Sequence, residues 1–207
     1  MASPGEAQFH HLWPTVFMSL ELPGAAPANA VLAEAFLAQD KDTDALTERY
    51  LEQDVFAMSH PAVGWLRQCV ERAVLDYAAQ VGLDYRPEFD VQGWVNINRC
   101  GDYHNLHNHP HSWLSGTYYV AVPDDPGVAH RSDLNPSAIS FFDPRAQANM
   151  NAVKGDGQFD PEYRRLPKSG EMFLWPSFLH HLVHPNLSDE ARISVSFNVV
   201  LTRKRLG

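Results

Sequence analysis

Hydrophobic positions in the first 88 residues recur every three to four places, a spacing that predicts amphipathic helices. Helices are predicted over 29–40, 42–53 and 60–83. Pro61 near the start of the longest helix and Gly82 near its end suit the two ends of a helix. The apolar run at 12–22, before the first helix, predicts a strand.

After about residue 90 the apolar residues fall into short runs rich in Val, Ile, Tyr, Phe and Trp. Turn residues separate these runs, which is typical of an antiparallel β-sandwich or barrel. Strands are predicted over 90–100, 112–123, 137–144, 171–176 and 191–202. The last run alternates most clearly between two faces. Its apolar face holds Ile193, Val195, Phe197 and Val199, and its polar face holds Ser194, Ser196 and Asn198.

These patterns give a mainly β protein with N-terminal helices. At 207 residues the chain is long enough to bury a substantial core, and we expect a single domain. Its N-terminal strand and helices are expected over about 1–88, and its β core over about 89–203. Two long connections, 123–136 and 144–170, interrupt the β core, and loops of this length are commonly functional.

Charge and cysteine usage narrow the class of partner. Sixteen Lys and Arg against 25 Asp and Glu give a formal charge of −9, which repels nucleic acids and anionic membranes. Neither a secretory leader nor a long apolar span is evident. Cys69 and Cys100 lack a CxxC spacing, so no disulfide framework or zinc knuckle is indicated. We expect a cytoplasmic protein, and the sequence is compatible with a homo-oligomer.

The eleven histidines of the chain are unevenly distributed. Two groups stand beside predicted strands: His104, His107, His109 and His111, and then His180, His181 and His184. A lone histidine is usually an ordinary core or surface residue, whereas two tight groups indicate a metal site. Alternation along an extended chain places His107 and His109 on the same side, with His104 and His111 less consistently in phase. Neutral imidazoles arranged in this way suit Zn, Fe, Ni or Cu.

Arg192 and Ser194 open the last predicted strand on a common face. Arginine is suited to bidentate capture of a carboxylate. An arginine at a strand end is most often a surface residue, but this one follows His181 by only eleven positions. The second histidine group and the arginine therefore indicate one site.

Two segments of the chain resemble the 2-oxoglutarate- and Fe(II)-dependent oxygenases. They are NLHNHPHSWLSGTYYV at 105–120 and PSFLHHLVHPNLSDEARISVSFNVV at 176–200. The nearer resemblance is to a bacterial and phage group of that superfamily, and it covers roughly residues 92–200. It implies a double-stranded β-helix, or jelly roll, with Fe(II) as cofactor and 2-oxoglutarate as cosubstrate. The implied reaction hydroxylates a small-molecule substrate with O₂ while 2-oxoglutarate is decarboxylated to succinate.

The resemblance matches His107 and His181 to the two histidine ligands of the iron. His109 departs from the pattern, because most of the superfamily has Asp or Glu there, completing a set of two histidines and one carboxylate. Either His109 is a third neutral ligand, or it stands off the metal and a water or a nearby carboxylate completes the site. The carboxylates nearest in sequence are Asp102, Asp124 and Asp125.

The resemblance also assigns the cosubstrate site. Arg192 matches the residue that pairs with the distal carboxylate of 2-oxoglutarate, and Ser194 matches the hydroxyl beside it. Asn98 stands where relatives often have a tyrosine that reaches the cosubstrate.

The substrate is less defined than the cofactors. Arginines in the long loops are able to pair with an anionic substrate, although ordinary loop charge is the commoner role. They are Arg131, Arg145, Arg164 and Arg165. Two alternatives stay open: a cupin-like dioxygenase with three histidine ligands and no 2-oxoglutarate, and a non-catalytic jelly roll that merely binds metal.

Overall fold

The computed structural model describes residues 14–40, 54–128, 134–145, 153–156 and 160–202. Its helices are α1 (Ala25–Gln39) and α2 (Pro61–Gln80), with a 3₁₀ turn at Val55–Ala57 between them. The predictions at 29–40 and 60–83 are confirmed, and the one at 42–53 lies outside the described residues. Pro61 is the first residue of α2, where its missing N–H costs nothing. None of the described helices is long and apolar enough to cross a membrane.

The described residues form nine strands. They are β1 (Met18–Glu21), β2 (Phe89–Asn98), β3 (His104–His107), β4 (Leu114–Ala121), β5 (Ile139–Phe142), β6 (Glu162–Arg165), β7 (Glu171–Pro176), β8 (His181–Val183) and β9 (Arg192–Leu201). All six predicted strands are present, although the first is only four residues long. Three strands that the hydrophobic pattern does not predict, β3, β6 and β8, have four residues or fewer.

Two antiparallel sheets form the jelly roll. The larger sheet has the order β1-β7-β4-β9-β2, and the smaller has the order β3-β8-β5-β6. An apolar cluster joins their facing sides, with Tyr119, Phe173 and Trp175 from the larger sheet and Ile139 and Phe141 from the smaller. The mainly β, double-stranded β-helix fold expected from the sequence is confirmed.

The larger sheet separates this inner cluster from the main hydrophobic core. Its outer face packs against both helices, burying Ile193, Val195, Phe197 and Val199 of β9 together with Leu32, Phe36, Leu66 and Val70 of the helices. The Tyr118 hydroxyl also donates a hydrogen bond to Asn29 Oδ1 of α1 at 2.5 Å. The alternation along β9 therefore assigns its apolar positions to the helices and its polar positions to the inside of the jelly roll.

Candidate metal centre

His107 and His181 face each other across the smaller sheet. They are register partners in the antiparallel pair of β3 and β8, and their ring centroids lie 4.3 Å apart. His107 is the last residue of β3 and His181 is the first residue of β8, so the pair lies where both strands end. Strand pairing thus brings together two histidines that are far apart in sequence.

An irregularity in the same strand pair changes the position of His104. His107 pairs with His181, and His104 pairs with Val183. The two pairs are three residues apart along β3 but only two residues apart along β8. The extra residue restores the phase, so that His104 and His107 both point into the jelly roll. Regular alternation along β3 would instead turn His104 away from His107, which is why His104 is less consistently in phase in the sequence.

His109 joins the pair from the loop that follows β3. Its backbone N–H donates to the Ser177 carbonyl at 3.0 Å, and the Trp94 ring lies 5.8 Å from its own ring. His109 Nε2 is 3.3 Å from His181 Nε2. One ring nitrogen from each of the three histidines lies within 4.8 Å of the others. His107 and His109 thus lie on the same side, as the alternation predicts, and His181 lies close to both.

The hydrogen bonds of two rings orient them for metal binding. His107 Nδ1 lies 2.6 Å from the Asn105 carbonyl, and His181 Nδ1 lies 3.0 Å from the Leu179 carbonyl. A carbonyl only accepts, so each Nδ1 carries the proton and each Nε2 presents a lone pair to the centre. Two donors about 2.1 Å from one ion at a right angle lie roughly 3 Å apart, so the 3.3 Å spacing fits a shared cation.

Burial favours the neutral form of His109 and His181, which is the form that a metal requires. Burial, reinforced by the neighbouring His107 and His104, lowers the pKa of His109 to about 4. Burial and His107 lower the pKa of His181 to about 2. The rings of Trp175 and Phe141 enclose His181 on the inner side. The rings of His109 and His181 are therefore neutral at pH 7.

Two of the three carboxylates nearest in sequence accept backbone hydrogen bonds in their own turns. Asp102 accepts from the Arg99 backbone N–H at 2.8 Å, and Asp125 accepts from the Gly127 N–H at 2.9 Å. Within the described ranges, the only group of three or more candidate metal ligands is the histidine cluster. The geometry therefore favours His109 over a carboxylate as the third donor.

Arg192 is a buried cation on the inner face, 1% exposed. Its Nη1 donates to the Ser137 carbonyl at 3.2 Å and its Nη2 to Asn98 Oδ1 at 3.1 Å. Its Nε is buried and has no hydrogen-bond partner among the described residues. Burial lowers the pKa of Arg192, because the neutral acceptors around it do not replace the lost hydration. An incoming carboxylate would satisfy both the charge and the Nε–H, which is what 2-oxoglutarate offers.

Asn98 and Ser194 lie beside this arginine. Asn98 is the register partner of Arg192, and its Nδ2 lies 3.2 Å from His104 Nε2. Ser194 is 6% exposed and lies two residues along β9 on the same face. The structure thus places both predicted cosubstrate residues at the arginine, and it adds His104, which the sequence analysis did not assign to that site.

Three of the four loop arginines already have carboxylate partners. Ion pairs join Arg145 to Asp143, Arg164 to Glu162, and Arg165 to Glu171. Arg131 lies outside the described residues. The paired arginines are therefore ordinary structural charges.

The histidines outside the cluster have other surroundings. His180 is exposed, and His184 is buried on the opposite side of the smaller sheet, 2.8 Å from Ser140 Oγ. His111 lies in a turn with a φ of 68°. Two tryptophans, Trp94 and Trp175, contact the cluster, and their positions on the inner faces of β2 and β7 were the only available signal for them.

A jelly roll with three convergent histidines and a buried arginine is compatible with a non-haem metal enzyme. Residues 92–198 match the sequence profile of the family described as "Putative 2OG-Fe(II) oxygenase". The match covers more than half of the chain and includes every proposed ligand. The chain belongs to this family of Fe(II)- and 2-oxoglutarate-dependent oxygenases.

Solved structures share the fold at low sequence identity. A prolyl-4-hydroxylase from Pseudomonas putida is 16% identical, with 91% of this chain and 86% of that chain covered at a TM-score of 0.58. HygX from Streptomyces hygroscopicus, solved with nickel and 2-oxoglutarate bound, is 15% identical, with 91% and 83% covered at a TM-score of 0.57. An oxidoreductase of the 2OG-Fe(II) oxygenase family from Burkholderia pseudomallei is 13% identical, with 89% of this chain and 84% of that chain covered at a TM-score of 0.53. Among curated proteins, none matches this chain in sequence.

Proposed function

We propose that His107, His109 and His181 bind the Fe(II) and that Arg192 binds the distal carboxylate of 2-oxoglutarate. Asn98 and Ser194 complete the cosubstrate site in this proposal. The observation that supports it most is the convergence of three ring nitrogens on one point, close to a buried arginine that lacks a carboxylate partner among the described residues. The reaction is the hydroxylation of a small molecule coupled to decarboxylation of 2-oxoglutarate.

Bound iron and 2-oxoglutarate together supply the activation of O₂, and the protein supplies position and environment. Three ligands leave the remaining coordination positions of the metal open for the cosubstrate and O₂. Arg192 orients the cosubstrate by its far end, while Asn98 holds the guanidinium in place. The aromatic rings around His181 exclude water from one side of the centre.

The alternatives fit the described residues less well. A cupin-like dioxygenase that does not use 2-oxoglutarate has no need for Arg192, which is buried and lacks a partner for its Nε. A jelly roll that merely collects metal has no need for the two carbonyl contacts that fix the ring tautomers. Family membership agrees with the oxygenase.

Adjacent histidines provide a matched test of the metal assignment. His181→Ala removes a buried ligand, whereas His180→Ala removes an exposed neighbour. Metal analysis of anaerobically prepared protein should find stoichiometric iron in His180→Ala and none in His181→Ala or His107→Ala. Retention of iron by both ligand variants at wild-type affinity would overturn the assignment.

The third ligand has its own test. His109→Ala should lower iron affinity strongly, and His109→Asp should restore it only in part, because the shorter side chain starts from a backbone spaced for imidazole. If His109→Ala binds iron like the wild type, His109 instead supports the ligands or faces the substrate, and a nearby carboxylate or water is the third ligand.

We further propose a cytoplasmic location. Both cysteines are free thiols, Cys69 half-buried and Cys100 exposed, which suits a reducing compartment. Fractionation of the native host followed by immunodetection tests this proposal, and recovery outside the cytoplasm would contradict it.

A further inference from the structure

We propose that the primary substrate is an uncharged molecule with amide or hydroxyl groups, bound on the inner face of the larger sheet. The subsite, called the polar floor below, consists of Asn96, Ser115, Ser196 and Asn198. This inference rests on the proposed function, because it takes the histidine cluster as the reaction centre.

One side of the polar floor adjoins His109. Ser196 is the register partner of Trp94, and the Trp94 ring lies 5.8 Å from the His109 ring. Asn96 lies on the same face of β2, two residues beyond Trp94, and its Nδ2 donates to Ser196 Oγ at 2.8 Å. These two polar side chains therefore lie next to an aromatic ring that contacts a ligand candidate.

The other side of the polar floor adjoins His181. Ser115 is the register partner of both Trp175 and Asn198. The Trp175 ring packs 4.9 Å from the His181 ring. Ser115 and Asn198 thus extend the polar floor toward Trp175, whose ring contacts the ligand candidate His181.

The exposure of β9 shows where the inner face opens. Arg192 is 1% exposed and Ser194 is 6% exposed, whereas Ser196 and Asn198 are half-buried. Alternate residues of a strand are roughly 7 Å apart, so access improves from the closed Arg192 end toward Asn198. A second molecule therefore approaches at the Asn198 end while 2-oxoglutarate occupies the Arg192 end.

The polar floor has unused hydrogen-bonding groups. Because Asn96 donates to Ser196, the Ser196 hydroxyl proton is left without a side-chain acceptor among the described residues. Ser115 Oγ donates to Asn198 Oδ1 at 2.6 Å, which leaves the two protons of Asn198 Nδ2. Asn96 and Ser115 are themselves buried, so the half-buried Ser196 and Asn198 are the members that a ligand reaches. The floor therefore offers hydrogen-bond donors, but no formal charge.

Among the described residues, which do not include Arg131, the charged side chains argue against an ionic substrate. Arg145, Arg164 and Arg165 are each paired with a carboxylate, and Arg192 is reserved for 2-oxoglutarate. A charged ligand would lose hydration over the polar floor without gaining an opposite charge, which is costly. Neutral amides and hydroxyls exchange hydrogen bonds with water for equivalent ones with the floor.

Three small probes that differ in charge test the proposal: neutral N-acetylglycinamide, anionic N-acetylglycine and cationic glycinamide. The full-length protein is loaded with Ni(II) and 2-oxoglutarate, and each probe is titrated by ligand-observed NMR. The neutral probe should bind at least about fivefold more tightly than either ion, the equivalent of one hydrogen bond. Asn198→Leu should weaken it by a similar factor, while Gln68→Leu on the exposed face of α2 should not.

Asn198→Asp separates a binding role from a structural one. The new carboxylate should reverse the preference toward glycinamide, which a merely destabilised sheet would not do. Equal or tighter binding of N-acetylglycine, no binding of the neutral probe while 2-oxoglutarate is bound, or an unchanged preference in Asn198→Asp would each overturn the inference. Failure of the parent protein to bind 2-oxoglutarate would instead overturn the proposed function, and the inference with it.

Discussion

The outer face of the larger sheet packs apolar side chains against α1 and α2, whereas its inner face turns polar side chains toward the histidine cluster. Both faces are formed by the same strands, and neighbouring residues of β9 belong to different ones. Phe197 is fully buried in the outer core, and Asn198 belongs to the polar floor. The period of two thus separates the residues that stabilise the fold from those available for binding.

The inner face also carries two kinds of side chain. On β4, β5 and β7, aromatic rings pack together around His181, and Trp175 lies level with Ser115 and Asn198. At the start of β9, Arg192 is held by Asn98 and the Ser137 carbonyl. Ser196 and Asn198 are only half-buried, so substitutions there should alter binding more than stability.

The largest contrast between the two faces should appear in unfolding. Phe197→Ala removes a fully buried ring from the outer core and should lower the free energy of unfolding by about 3–5 kcal/mol. Asn198→Ala removes one hydrogen bond from a half-buried position and should cost about 1 kcal/mol. Urea unfolding of both variants measures the difference. Similar losses would mean that the inner face is part of the core.

Arg192→Ala should have the next largest effect, and on binding. Loss of a charge-assisted contact worth roughly 1.5–3 kcal/mol should weaken 2-oxoglutarate by about one to two orders of magnitude while iron is retained. Calorimetry on the Ni(II)-loaded protein measures the affinity. Arg164→Ala, which breaks an ion pair with Glu162, is the matched control and should bind normally. An unchanged affinity in Arg192→Ala would favour the cupin-like alternative.

Much of this contrast was predictable from the sequence. The alternation in 191–202 is enough by itself to separate apolar from polar positions, and the two histidine groups flank predicted strands. The motif resemblance adds roles for His107, His181 and Arg192. These signals are local, or they depend on residue types that are unusual at such density.

The features that were missed depend on pairing between distant strands. The strands β3 and β8 are too short to show a period, and the irregularity between them decides where His104 points. Trp94 and Trp175 look like ordinary core residues in sequence, and only register shows that they contact the cluster. The partners of Arg145 and Arg164, by contrast, are local, because Asp143 and Glu162 each lie two residues away in sequence.

His181 and His184 extend the comparison to the two sides of the smaller sheet. His184 Nε2 lies 2.8 Å from Ser140 Oγ, and burial, followed by Arg164, lowers the pKa of His184 below 6.5. Below about pH 6.5 the unfolded chain therefore takes up a proton at His184 more readily than the folded protein does. The free energy of unfolding is consequently highest at neutral pH with respect to His184 and falls on acidification.

His184→Gln should reduce the loss of stability between pH 7 and pH 5, by less than about 1.4 kcal/mol per pH unit. Iron binding should be unaffected, unlike in His181→Ala. Unfolding curves at both pH values test the prediction, and an identical pH dependence in variant and wild type would contradict it.

The smallest effect should come from His104, which acts on the cosubstrate site through Asn98. Burial, followed by Arg192, lowers the pKa of His104 to about 4, so that the ring is neutral at pH 7 and its Nε2 accepts from Asn98 Nδ2. That contact turns Asn98 Oδ1 toward Arg192. His104→Phe keeps the size of the ring but removes the acceptor, which frees the amide to rotate. The expected cost is about 1 kcal/mol, or roughly fivefold in 2-oxoglutarate affinity, with iron binding unchanged.

Tyr103→Phe, at an exposed neighbouring position, is the control. If Asn98→Leu weakens the cosubstrate by the same factor and the double variant is no worse, the two residues act as one unit. Additive losses would instead mean that His104 contacts 2-oxoglutarate independently of Asn98.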